Sequence, residues 1–74
     1  MRNKILGILK EIEPDSAFEN SVDFFEDELI DSFGIITLIN VLEETYSISI
    51  EADDISAENF MNLDCIEQLL NKYM

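Results

Sequence analysis

Residues 30–46 read "IDSFGIITLINVLEETY", and how this stretch divides decides the fold. From Ser32 to Tyr46 the apolar positions Phe33, Ile35, Leu38, Ile39, Leu42 and Tyr46 recur with the period of one helix face, which predicts a helix with a broad buried stripe. It is the most apolar element of the chain, so the rest must pack around it. Its start is marked twice. Asp31 and Ser32 are both residue types that cap the free N–H groups of a first helical turn, and one cap is enough. If Asp31 takes the boundary, the Ser32 hydroxyl projects at the positive end of the helix, where N–H groups and the macrodipole favour a phosphate.

Upstream, "MRNKILGILKEI" repeats Ile5, Ile8, Leu9 and Ile12 at helical spacing, and Pro14 ends the pattern. From Glu13 to Ile30 the periodicity is lost and the composition turns acidic. Phe18, Val22, Phe24, Phe25 and Leu29 nevertheless make this a long loop laid over a core. Downstream, "SISIEADDI" alternates at Ile48 and Ile50, but without a second strand to pair with it reads as an extended connection. A short third helix is expected near Asp53 to Glu58, with Asp53 or Asp54 at its start. Asn62 then caps a fourth helix that buries Leu63, Ile66, Leu69, Leu70 and Tyr73. The fold expected is all-α: a small antiparallel four-helix bundle of three longer helices and one short third helix, with a long loop between helices one and two. It forms a single domain over residues 1–74.

Charge narrows the function. Seventeen acids against four bases give a formal net charge of -13, and no Lys or Arg lies between Glu11 and Asn71. Nucleic-acid phosphate is repelled by such a surface, whereas basic protein partners are steered toward it. There is no histidine, so no Ser-His or Cys-His pair can be assembled, and with one cysteine no zinc site is expected. The acidic run "DFFEDELID" lacks the residue order that folds around calcium, and no metal site is expected. Cys65, beside Leu63 and Ile66, reads as a small packing group. A lone cysteine suggests no oxidising compartment, and the interrupted apolar pieces of helix one suggest neither a secretory signal nor a membrane span, so a cytoplasmic location is expected. Nothing in the chain supplies covalent chemistry, and it is not expected to be an enzyme.

Taken in order, "ELIDSFGIITLINVLEETYSISIEADDI" and "ENFMNLDCIEQLL" resemble the acyl carrier protein family, including its peptidyl and D-alanyl carrier relatives, over nearly the whole chain. The resemblance rests on the Asp-Ser pair before a large apolar residue, the stripe ending in "LEETY", the "I-x-I" connection, and a Phe shortly before an apolar last helix. It implies that Ser32 carries 4'-phosphopantetheine, donated from coenzyme A by a separate phosphopantetheinyl transferase, with Asp31 beside it. The arm ends in a thiol on which acyl or aminoacyl groups ride as thioesters, which accounts for a chain without a nucleophile or base of its own.

The same resemblance implies three kinds of partner: the transferase, an acyl- or aminoacyl-activating ligase, and an acyltransferase or synthase with a basic docking surface. The positions that would meet them are Glu28, Asp31, Ile36, Glu43 and Glu44. The carrier is expected to be a monomer that inserts into no membrane. Fatty-acid carriers usually have acids two and five positions after the serine, where this chain has Gly34 and Thr37, and a Gly-Ala or Gly-Gly step where it has Leu29 and Ile30. "L-I-D-S-F-G" is closer to D-alanyl carriers and to stand-alone carriers of specialised pathways. The alternative reading from charge alone is an acidic protein-interaction module or nucleic-acid mimic with no prosthetic group.

Overall fold

A computed structural model describes residues 1–74 and is all-helical: α1 spans Arg2–Ile12, α2 Ser32–Tyr46, α3 Ala57–Phe60 and α4 Leu63–Tyr73. The three longer helices, the short third one and the loop after α1 are the expected architecture. Fifteen buried side chains from all four helices, the long loop and the α2–α3 connection form one apolar core. No helix is long and apolar enough to cross a membrane.

Each boundary has a local cause. α1 stops at Ile12 because Glu13, which precedes Pro14, is pushed out of the helical region to φ -133, ψ 82. α4 starts where the Asn62 side chain accepts a hydrogen bond from the Cys65 N–H at 2.8 Å. α2 ends at Ser47, whose φ of 55 turns the chain left-handed, and the N–H groups of Ser47 and Ile48 both donate to the Glu43 carbonyl.

The long loop is anchored, not free. Phe18 and Phe24 are fully buried and meet edge to face, with ring centroids 5.1 Å apart. The Phe24 N–H donates to the Met61 carbonyl at 2.6 Å, and the Asn62 amide donates to the Val22 carbonyl at 2.9 Å. Asn62 therefore caps α4 and ties down the loop at once. Val22 departs from expectation: it is 79% exposed, because its backbone is pinned by Asn62 while its two phenylalanine neighbours fill the core. Within the loop, the Asp23 carboxylate accepts from the N–H groups of Phe25 and Glu26, and one helical turn follows that closes at Glu28 with φ 57.

The third helix also differs. Asp53 and Asp54 lie in a 3-10 turn over Ala52–Asp54, and α3 begins only at Ala57, after an extended Ser56. Asp54 is occupied elsewhere. Its carbonyl accepts from the Asn59 side chain at 2.8 Å, and its carboxylate accepts from Lys72 at 2.8 Å and from the Tyr73 hydroxyl. The Lys72 ammonium, and then the Tyr73 hydroxyl, hold the Asp54 carboxyl below its usual range, while Asp54 raises both Lys72 and Tyr73. This cluster fastens the end of α4 to the α2–α3 connection. Arg2 does the same for α1 and α4 through Asp64 and Glu67, as does Lys10 for α1 and the loop through Glu19 at 3.1 Å.

Candidate functional site

The α2 start resolves the choice between its two polar residues. The Asp31 carboxylate accepts from the Gly34 N–H at 2.8 Å, and the Asp31 carbonyl accepts from the Ile35 N–H at 3.0 Å. Asp31 is therefore the cap, and Ser32 is the first helical residue. The Ser32 side chain is exposed and its hydroxyl is engaged with no protein group. The N–H groups of Ser32 and Phe33, two of the donors that every helix start leaves open, have no acceptor among the protein's hydrogen bonds. A hydroxyl free to be esterified thus stands beside two free donors at the positive end of a 15-residue helix. Of the other serines, Ser16 donates to the Leu29 carbonyl, Ser21 donates to Asp27, Ser47 is the left-handed end of α2, Ser49 lies in the connection after it, and Ser56 precedes a helix of only four residues.

Gly34 makes the cap compact. Ile30 packs so closely over it that a Cβ there would lie 2.6 Å from Ile30 Cγ1. The bare backbone lets Ile30, only 6% exposed, close the core directly beneath Asp31 and Ser32. The sequence signal for this contact is a large apolar residue four positions before a glycine in a first helical turn.

The α2 stripe holds for Ile35, Leu38, Ile39 and Leu42, all buried, with Tyr46 half-buried. Phe33 does not belong to it. It is 78% exposed, because its position shares a face with Thr37, Val41 and Glu44, not with Leu38 and Leu42. Ile36, one turn further on, is 58% exposed as expected. Phe33 and Ile36 thus form an apolar pair beside Ser32 that the hydrophobic pattern alone had half concealed. Ile55 is 44% exposed and lies outside the core.

The acidic positions are arrayed around Ser32 and down α2. Glu28, Asp31 and Glu44 are exposed and make no ion pair. Glu43 is half-buried, and one of its oxygens accepts from the Ile50 N–H at 2.8 Å, so it holds the connection after α2 as well as contributing charge. Arg2, Lys10 and Lys72 are committed to ion pairs away from this face, and Lys4 forms no ion pair, so none of the four bases neutralises its carboxylates. Cys65 is half-buried on α4. No group of three or more His, Cys, Asp and Glu side chains is arranged to hold a metal ion.

Residues 2–71 match the family described as the phosphopantetheine attachment site. Among curated proteins, none matches the chain. The match extends over all four helices and includes the α2 start, so the chain belongs to the phosphopantetheine-attachment family, that of the acyl carrier proteins, whose prosthetic group is 4'-phosphopantetheine.

Proposed function

We propose that Ser32 is the residue that carries the phosphopantetheine arm, and that the protein presents an acyl or aminoacyl group to partner enzymes without catalysing a reaction itself. One observation carries this reading: Asp31 does the capping, so the Ser32 hydroxyl is left exposed and unbonded at the start of α2. The residues present fit the group. A phosphodiester on Ser32 would lie within reach of the free N–H groups of Ser32 and Phe33, and the helix dipole would favour its charge. When bound, the arm supplies a thiol that holds cargo as a thioester. The chain's own part is to fix the ester at one helix end and to offer a recognisable surface around it.

That surface is the exposed pair Phe33 and Ile36, ringed by Glu28, Asp31 and Glu44, with Glu43 contributing its remaining oxygen. It suits a transferase, an activating ligase, and an acyltransferase or synthase that each bring Lys and Arg around an apolar pocket. Each exposed ion pair is worth at most about 1 kcal/mol, so together they set encounter rate and orientation more than affinity. A monomeric carrier of the cytoplasm, where coenzyme A and these enzymes work, accords with the uncompensated charge and the unpaired cysteine.

The test is intact mass after incubation with coenzyme A and a broadly acting phosphopantetheinyl transferase. The protein should gain one phosphopantetheinyl group and Ser32→Ala none, with the helical circular dichroism of Ser32→Ala unchanged because Asp31 still caps. No gain by the unaltered protein, with the transferase shown active on another carrier, would favour an acidic interaction module instead.

A further inference from the structure

Attachment at Ser32 leaves a groove between α1 and α2 without a role. It encloses about 470 Å³, with Ile8 and Ile12 of α1 and Phe33 and Val41 of α2 as its apolar lining. Glu11, Glu13 and Asp31 stand around it, and no Lys or Arg does. Neither Glu11 nor Glu13 uses its carboxylate in an ion pair or hydrogen bond, and Asp31 uses one oxygen, on the Gly34 N–H. One end of the groove is formed by Asp31, Phe33 and Gly34, the residues on either side of Ser32.

An arm on Ser32 starts next in the chain to two lining residues, Asp31 and Phe33, and the chemistry of the lining discriminates among cargoes. A cargo with a free carboxylate would meet three acids and no base. A plain acyl chain would gain the apolar lining but leave the carboxylates with water. A cargo with an aliphatic body and an ammonium group satisfies both parts. We propose that the α1–α2 groove is a seat for the cargo end of the arm, selective for aminoacyl groups with an aliphatic side chain and a free ammonium. The seat lies outside the core, so it requires no parting of Ile35, Leu38 and Ile39. It rests on the reading of Ser32 as the attachment residue.

The test loads the protein with leucyl-coenzyme A or with its deamino counterpart, isocaproyl-coenzyme A, through a permissive transferase, and checks loading by intact mass. The leucyl form should shift the amide resonances of Glu11, Gly34, Thr37 and Val41 relative to the uncharged arm. Its thioester should hydrolyse about two- to fivefold more slowly than leucyl-pantetheine free in solution, the factor a surface ion pair can deliver. The isocaproyl form, which can use only the apolar lining, should show smaller shifts and less protection relative to isocaproyl-pantetheine free in solution. Glu11→Gln with Glu13→Gln, which removes no contact that supports the fold, should reduce the leucyl form to isocaproyl behaviour. Equal responses to the two cargoes, no response in this groove, or a response that survives the double substitution would overturn the seat. A chain that gains no mass would overturn the Ser32 reading and the seat together, whereas a loaded chain with a silent groove overturns the seat alone.

Discussion

Gly34→Ala should destabilise the protein even though it replaces a helical glycine with the best helix former. Intrinsic propensity alone would reward the change by about 1 kcal/mol. The new methyl carbon, however, would lie 2.6 Å from Ile30 Cγ1 and 3.2 Å from its Cδ1. Cγ1 is bonded directly to the Cβ and is no loose chain end, and Ile30 is held in the core at 6% exposure. Overpacking by one methyl group costs about 1–3 kcal/mol, and a clash this close to both backbones belongs in the upper part of that range. The net loss should be about 1–2 kcal/mol, or roughly 4–15 °C in Tm for a domain of this size. Urea unfolding followed by circular dichroism measures it, and a double-mutant cycle assigns the cause. Ile30→Ala alone should cost about 2–5 kcal/mol. In that background Cγ1 is gone, and Gly34→Ala should now stabilise by about 1 kcal/mol. Trimethylamine oxide added throughout keeps all four proteins folded enough to compare. A stabilising Gly34→Ala in the unaltered protein, or an equal loss in both backgrounds, would refute the packing argument.

Four further outcomes follow from the fold and its charge. Tyr46 buries its hydroxyl oxygen with no hydrogen-bond partner, so Tyr46→Phe should be neutral or stabilising by up to about 1 kcal/mol, and a lower urea midpoint would contradict this. Asp54 has its folded-state pKa lowered, mainly by Lys72, so its contribution is present above its unfolded value near 3.8 and is lost as pH falls through the folded value; Asp54→Asn should flatten the fall in Tm below that pH. Lys72 and Tyr73 are shifted upward, so their contributions hold below their unfolded values near 10.5 and 10.0 and fade as pH rises through the folded ones; the same variant should weaken that alkaline loss. Finally, with acids in such excess, Tm should rise between about 0.01 M and about 0.15 M salt, and a flat response would mean the acids are better spaced than their number suggests.

Much of this was legible in the sequence because it depends on local pattern. The α2 boundaries, the Asn62 cap and the Pro14 stop each follow from a side chain acting on backbone within a turn of its own position, and the α2 cap is narrowed to Asp31 or Ser32 for the same reason. What escaped depends on groups distant in the chain. The sequence offers Asp53 or Asp54 as a helix start, but both lie in a 3-10 turn, Asp54 is held by Lys72, Tyr73 and Asn59, and α3 begins only at Ala57. Val22 was read as part of the core by its composition, but Asn62 fixes its backbone so that the side chain faces outward. Phe33 was assigned to the buried stripe because it is large and apolar, although its angular position belongs with Thr37 and Val41. At the site, the position and freedom of the Ser32 hydroxyl were readable, whereas the groove beside it was not, since it exists only where α1 and α2 meet.

The most direct test of the central claim is tandem mass spectrometry of proteolytic peptides from protein co-produced with a phosphopantetheinyl transferase. The account predicts one phosphopantetheinyl group, carried by the peptide that contains "IDSFG" and fragmenting at Ser32. A group located on Ser49, Ser56 or any other residue, or none on a protein whose transferase modifies a second carrier in the same cells, would contradict it.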